Sequence, residues 1–93
     1  MAFVGEYRTK SGRGYCKWSF ERQTNGEIRI YLLTSAKYGD RPADGHSTHL
    51  YRDEAGFPYI CYEPMPRDLD DAIAVAKEWA ERTEAYMFFG TKF

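Results

Sequence analysis

The last third of the chain carries a helical pattern of apolar positions. Between Asp68 and Met87, apolar side chains recur at steps of three and four residues, which places them along one stripe of a helix. The stripe comprises Leu69, Ala72, Ile73, Ala76, Trp79, Ala80, Thr83, Tyr86 and Met87. Asp68 can cap the first free amides, and Gly90 is the expected stop. The pattern predicts one long amphipathic helix, which needs an apolar surface of similar length to pack on.

The opposite side of this helix is polar and mostly acidic. Its residues are Asp70, Asp71, Lys77, Glu78, Glu81, Arg82 and Glu84. We interpret it as a solvent-exposed face, with Glu78 and Arg82 paired one turn apart and the two early aspartates near the positive end of the helix dipole. A contact surface for a basic partner is the alternative role of this acidic ridge.

The residues before the helix alternate between apolar and polar side chains, which is the period of β-strands. The predicted strands span residues 2–9, 15–23, 27–38, 46–52 and 57–62. Asn25-Gly26 is a strong hairpin signal, Pro58 restricts the last strand to an edge or an irregular start, and 39–45 is a loop. We therefore predict an α+β two-layer sandwich, in which an antiparallel meander of about five strands carries one C-terminal helix on one face. Residues 1–93 form one domain in this interpretation.

Composition narrows the classes of partner. The chain has 43% apolar and 29% charged residues, as in an ordinary globular domain, but its aromatic fraction of 17% is high. A net charge of -1 argues against nonspecific nucleic-acid binding by a wholly basic protein. The charge is uneven, since residues 1–20 hold four cations against one acid and residues 63–93 hold seven acids against four bases.

The two cysteines indicate a reducing environment. Cys16 and Cys61 lie in apolar strand-like runs, and the chain begins without a secretory leader, so we expect a cytoplasmic protein without a disulfide. Buried thiols of this kind are usually inert, which argues against a thiol nucleophile. No run of residues approaches the roughly 20 apolar positions that a membrane span needs.

A candidate binding surface lies on the sheet face that the helix leaves open. Alternation places Tyr15 and Lys17 of the second strand beside Arg29 and Tyr31 of the third, and Arg13 precedes them in the turn. Rings flanked by cations can contact another protein or stack on a single-stranded nucleic acid. These five residues are our predicted binding site. The alternative is a solvated sheet face with ordinary cross-strand aromatic pairing.

Part of this region resembles the octamer of RNA-recognition motifs. The segment 13–20 (Arg-Gly-Tyr-Cys-Lys-Trp-Ser-Phe) matches four of its seven specified positions. The RNA-recognition fold requires a helix between its first and second strands, whereas only residues 10–14 separate the two strands here. We therefore set this family aside.

Two further motifs contain residue types that are found in ligand sites. Residues 10–14 (Lys-Ser-Gly-Arg-Gly) could cradle a phosphate, but no helix N-terminus follows, so a hairpin turn is favoured. His46 and His49 would fall on opposite faces of a strand, and no second pair of ligands has a matching spacing. We predict no metal, no cofactor and no catalytic residues.

These observations favour a small non-enzymatic protein-binding module. Its size and aromatic content also suit a stand-alone inhibitor of a host nucleoprotein complex, of the anti-CRISPR kind that mobile elements use; this is an analogy of size and composition. One alternative is a single-stranded nucleic-acid binder, which salt dependence would reveal. The other is a small-ligand or enzymatic domain, which an apolar pocket with convergent polar groups would indicate.

Overall fold

A computed structural model describes residues 2–93, which form five strands and two helices. The elements are β1 (Ala2–Arg8), β2 (Tyr15–Arg22), β3 (Ile28–Leu32), α1 (Gly45–Thr48), β4 (Leu50–Arg52), β5 (Pro58–Ile60) and α2 (Leu69–Phe89). The strands form one antiparallel sheet, and α2 packs against one face of it. The predicted α+β two-layer fold is thereby confirmed.

The order of the strands departs from a simple meander at one end. The sheet runs β1-β2-β3-β5-β4, so β5 lies between β3 and β4. Ile60 of β5 is fully buried in the core, whereas Leu50 of β4 is only half-buried, as expected for an inner strand and an edge strand. Pro58 is the first residue of β5, a position where a missing N–H is tolerated.

Two tight turns join the first three strands. At the second turn, the Gln23 amide donates to the Glu27 carbonyl (2.7 Å) and Gly26 has a φ of 89°, which glycine adopts without strain. The predicted hairpin is confirmed. β3 ends at Leu32, earlier than predicted, because the chain leaves the sheet after Leu33 to reach β4 on the far side of β5.

The long helix has the predicted ends. The Asp68 side chain accepts a hydrogen bond from the Asp71 amide (2.8 Å), and Gly90 ends the helix with a φ of 72°. The buried face of α2 comprises Ala72, Val75, Ala76, Trp79, Ala80, Thr83 and Tyr86. It packs on Trp18, Phe20, Ile28, Ile30, Leu32 and Ile60 of the sheet. Val75 was outside the predicted stripe.

The segment before β4 is helical where a strand was predicted. Gly45–Thr48 forms one helical turn, and His49 follows in the left-handed region with a φ of 54°. Asp44 stabilises this turn, because its side chain accepts from the Ser47 amide (3.2 Å). The loop before the turn is tied to α2, since the Tyr86 hydroxyl donates to the Pro42 carbonyl (2.6 Å).

Two acids of the supposed solvent face instead hold the helix to the β1–β2 turn. The Tyr7 hydroxyl donates to Glu81. Thr9 and Ser11 donate their hydroxyl protons to Glu84, at 2.9 and 2.6 Å. The prediction of a fully solvated acidic ridge was therefore wrong for Glu81 and Glu84, because the turn folds over this part of the helix.

Candidate functional site

The sheet face opposite α2 is formed by alternate residues of all five strands. It carries Val4, Glu6, Arg8, Tyr15, Lys17, Ser19, Glu21, Arg29, Tyr31, Tyr51 and Tyr59. Leu33, which directly follows β3 and whose amide donates to the Lys17 carbonyl, continues this face. We call this surface the open face. Four of the five predicted binding residues lie on it, and the structure divides them between two groups.

The first group surrounds Tyr31. The Tyr31 ring lies 6.1 Å from that of Tyr59, which lies 6.5 Å from Tyr51, so three rings follow one another across β3, β5 and β4. The Arg29 guanidinium lies over the Tyr59 ring at 4.4 Å and donates to the Tyr31 hydroxyl at 3.3 Å. We call Arg29, Tyr31, Tyr51, Asp53 and Tyr59 the Tyr31 cluster.

Asp53 anchors this cluster to the β4–β5 turn. Its carboxylate accepts from the Phe57 and Ala55 amides (2.9 and 3.0 Å) and from the Tyr31 hydroxyl (2.9 Å). These hydrogen bonds, that of Phe57 first, hold the pKa of Asp53 below its usual value, and the nearby Arg29 charge acts in the same direction. The Tyr31 ring is thus fixed in place before any partner arrives.

The second group surrounds Tyr15. Its hydroxyl donates to Glu6 (2.8 Å), and the Arg8 guanidinium lies 5.6 Å from the centre of its ring. The hydrogen bond to the carboxylate raises the pKa of Tyr15. Lys17 is exposed and lies opposite Glu6 in the β1–β2 register.

The two groups are separated along β2. Ser19 lies opposite Tyr31, and Tyr15 is four positions further along the strand, which corresponds to roughly 13 Å at 3.3 Å per residue. The predicted rings and cations therefore share a face but do not form one compact cluster.

Arg13 does not belong to the open face. Its guanidinium lies over Phe88 (4.9 Å) and Phe89 (5.8 Å), and 3.9 Å from Glu84, at the C-terminal end of α2. The β1–β2 turn carries it to the helix side of the sheet.

An apolar groove of about 460 Å³ adjoins the Tyr31 cluster on the open face. Val4, Leu33 and Phe57 line it, with 51%, 53% and 62% of their surface exposed. The groove connects β1 to the β4–β5 turn across the middle of the sheet. Exposed apolar side chains gathered beside fixed rings are typical of interaction sites.

Sequence reasoning did not include the groove, nor Tyr51 and Tyr59, in the predicted site. Tyr59 joins Tyr31 only because β5 lies beside β3, and that pairing has no local signal. The alternation of β3 did place Leu33 on the open face. A leucine at a position expected to face solvent is a sequence signal that could have indicated the groove.

Two carboxylates of α2, Glu81 and Glu84, lie against the turn at residues 10–14, where a phosphate would have to bind. The Lys10 amide donates to Glu81 (3.0 Å), and the Ser11 hydroxyl donates to Glu84. Gly12 takes a φ of 82°, as tight turns require. This arrangement agrees with the hairpin interpretation, because a second anion would be repelled.

A second cleft, of about 410 Å³, lies between α2 and the β4–β5 end of the sheet. It is lined by His46, His49, Tyr51, Cys61, Tyr62, Glu63, Val75, Glu78, Trp79, Arg82 and Phe93. Several of its polar groups already have partners, since Glu78 and Arg82 pair at 3.2 Å and the Trp79 indole donates to the Thr48 carbonyl (3.0 Å). This is the kind of pocket that the small-ligand alternative requires, and we rank that function below binding by the open face.

Comparison with known proteins does not assign a function. No protein-family model matches the chain, and no curated protein or solved structure is detectably similar to it. Among residues 2–93, no three or more His, Cys, Asp or Glu residues are grouped in a way that could hold a metal ion. Over the same range, no helix is both long and apolar enough to cross a membrane.

Proposed function

We propose that this protein is a non-enzymatic protein-binding module that uses the open face. The observation that carries the proposal is the apolar groove of Val4, Leu33 and Phe57 lying directly beside the Tyr31 cluster. Tyrosine and arginine dominate the energetics of protein interfaces, and apolar neighbours exclude water around them.

The fixed geometry of the Tyr31 cluster supports binding without a large entropic cost. Tyr31 is held by Asp53 and Arg29, and Arg29 also covers Tyr59. Side chains that are already ordered lose little freedom when a partner docks. The open face can therefore present its rings in one arrangement.

The charges of the open face favour a protein over a nucleic acid. Its cations, Arg8, Lys17 and Arg29, are balanced by the acids Glu6 and Glu21 on the same face and by Asp53 in the adjoining β4–β5 turn. Arg8 lies over Tyr15 and Arg29 over Tyr59, so two of the three cations are engaged with rings of the face, and Lys17 is exposed. Single-stranded nucleic-acid binders instead line their grooves with cations that follow the phosphates.

In this proposal the partner is a host nucleoprotein complex, and binding inhibits it. The support for this part is the small size and aromatic composition of the chain. Its test is whether the nuclease or nucleic-acid-binding activity of the captured partner falls when wild-type chain is added, and not when the Tyr31→Ala variant is added.

The binding experiment compares variants on and off the open face. The immobilised wild-type chain is used to recover a stoichiometric protein from a lysate of its native host, and the affinity for that purified protein is then measured. Tyr31→Ala and Leu33→Glu should each weaken binding by about tenfold or more, because they remove a ring or place a charge at the centre of the contact. Lys17→Ala should act mainly on the association rate at low salt.

Tyr62→Ala is the matched control. Tyr62 is a tyrosine that lines the helix–sheet cleft instead of the open face, and at 40% its side chain is more exposed than that of the half-buried Tyr31. Unchanged binding by Tyr31→Ala together with weakened binding by Tyr62→Ala would contradict the proposal and favour the cleft. Binding of a fluorescent oligothymidylate that falls steeply with salt would favour the nucleic-acid alternative.

A further inference from the structure

One edge of the sheet is long and unprotected. In the part of the chain that the structure describes, β1 has seven residues and pairs on one side only, with β2, whereas β4 at the other edge has three residues. Natural edge strands are usually short or contain proline, lysine or a bulge, and β1 contains neither proline nor lysine. Its unpaired backbone groups are available to another strand.

The hydrogen-bond pattern identifies the residues of β1 whose backbone N–H and C=O groups point away from β2. The Thr9 amide donates to the Gly14 carbonyl (2.9 Å), and hydrogen-bonded pairs alternate with non-hydrogen-bonded pairs along an antiparallel ladder. Counting back from Thr9, the odd residues of β1 bond to β2. Ala2, Val4, Glu6 and Arg8 therefore direct their backbone N–H and C=O groups away from the sheet.

The two charged residues of β1 do not block this edge. Glu6 accepts the hydrogen bond of Tyr15 on β2, so its carboxylate turns inward. The Arg8 guanidinium donates to the Gly12 carbonyl (3.3 Å) and lies over the Tyr15 ring. Both side chains lean toward β2 and leave the outer backbone accessible.

The sequence of β1 is complementary to itself in one antiparallel register. With Gly5 on a two-fold axis, Val4 lies opposite Glu6 of the second copy, and Phe3 lies opposite its Tyr7 on the helix side. All outward N–H and C=O groups then pair, and no like charges are directly opposite. Phe3, which is 43% exposed, gains an aromatic neighbour, and Gly5 lets the backbones approach at the axis.

The neighbouring registers fit less well. An axis at Glu6 places two carboxylates directly opposite each other, which is destabilising. An axis at Val4 leaves Tyr7 and Arg8 beyond the paired segment and sets Phe3 against Gly5. The Gly5 register is the one that uses the whole strand.

We infer that two copies of this chain pair through their β1 strands into one continuous ten-stranded antiparallel sheet, with Gly5 on the two-fold axis. Because the axis is perpendicular to the sheet, both open faces lie on the same side of the dimer. A partner with two equivalent epitopes would then be bound by both copies at once, with a gain from avidity.

The test combines mass with amide exchange, both followed over a dilution series. Sedimentation should show the mass rising from 10.9 kDa to twice that value as concentration increases. In hydrogen-exchange NMR, the amides of Val4, Glu6 and Arg8 should become protected in parallel with the mass. Those of Phe3, Gly5 and Tyr7 should be protected at every concentration, because β2 already binds them.

A matched pair of variants isolates the edge backbone. Glu6→Pro removes one outward N–H while leaving the β1–β2 ladder intact, and proline is tolerated at such edge positions. Glu6→Thr loses the same carboxylate but keeps the N–H. Glu6→Pro should be monomeric, and Glu6→Thr should still dimerise; circular dichroism confirms that each is folded.

Two outcomes would overturn the inference. One is a wild-type chain that stays at 10.9 kDa at the concentrations used for NMR, with rapidly exchanging Val4, Glu6 and Arg8 amides. The other is a dimer in which these three amides exchange rapidly, since the copies would then meet through a different surface.

Discussion

Tyr31 shows how one side chain on the open face depends on residues distant in the sequence. Its hydroxyl donates to Asp53, 22 positions later, and its ring meets Tyr59 of the neighbouring strand. Asp53 itself is held by the amides of its own turn. The position of the ring is therefore coupled to the structure of the β4–β5 turn.

This coupling predicts a pH-dependent effect of Asp53→Asn. The folded-state pKa of Asp53 is lowered, so its carboxylate contributes stability above its unfolded pKa of about 4, and that contribution is lost as pH falls through the folded value. Thermal unfolding should show Asp53→Asn less stable than wild type at pH 7, with the gap closing in acid. Asp40→Asn, at an exposed position in the loop, is the control. A gap that stays constant down to low pH would contradict the prediction.

Cys16 gives a second prediction at the scale of the residue. Both cysteines are free and half-buried, and burial raises the pKa of the Cys16 thiol to about 11. In the Cys61→Ser background, a thiol reagent should label Cys16 slowly at neutral pH, with a rate that keeps rising toward pH 11. Unfolded chain should label quickly, near the behaviour of a free thiol with a pKa of about 8.5. Fast native labelling at pH 7 would mean that this sulfur is an active thiolate.

At the scale of elements, α2 has two different attachments to the sheet. Its apolar face packs on the core, while Glu81 and Glu84 hold the β1–β2 turn by hydrogen bonds. The second attachment is polar, and on the helix it uses the side chains of Glu81 and Glu84, near the C-terminal end. It fixes the direction of the turn that carries Arg13 to Phe88.

Glu84→Ala should therefore destabilise the protein although it lies beside solvent. Its side chain is 11% exposed and accepts from Thr9 and Ser11, so the loss should be about 1 to 3 kcal/mol. Glu78→Ala, whose side chain is 46% exposed and pairs with Arg82 on the same helix, should stay within about 0.5 kcal/mol of wild type. Denaturant titration of both variants measures the difference; equal midpoints would show that the hydrogen bonds from Thr9 and Ser11 to Glu84 add nothing to stability.

At the scale of the whole molecule, Trp79 joins α2, the sheet and the helical turn α1. It is 4% exposed in the core, and its indole donates to the Thr48 carbonyl of α1. A single side chain thus connects the layers with the segment that precedes β4.

Trp79→Ala should cost about 3 to 5 kcal/mol, because it removes buried apolar surface and leaves a cavity. Trp79→Phe should cost less, since it keeps most of the ring and loses mainly the hydrogen bond to Thr48. Glu78→Ala, whose side chain on the same helix is 46% exposed, is the control. Chemical denaturation decides the ranking, and a Trp79→Phe variant as unstable as Trp79→Ala would show that the hydrogen bond outweighs packing.

The helix and the hairpins could be predicted from sequence because their signals are local. Asp68, Gly90 and the apolar stripe determine the ends and buried face of α2, and Asn25-Gly26 determines the turn between β2 and β3. Capping, periodicity and turn preference each act within a few residues. The alternation of β2 and β3 likewise placed Tyr15 and Tyr31 on the face away from the helix.

Only the tertiary structure decided which of these elements lie side by side and which side chains contact each other. β5 lies between β3 and β4, where Ile60 is buried in the core, and this brings Tyr59 beside Tyr31. The same kind of long-range contact takes Glu81 and Glu84 out of the solvent face. Strands that are distant in the sequence compete to pair with one another over the same core. The periodic pattern shows which face of a strand is buried, but it does not show which strand lies beside it.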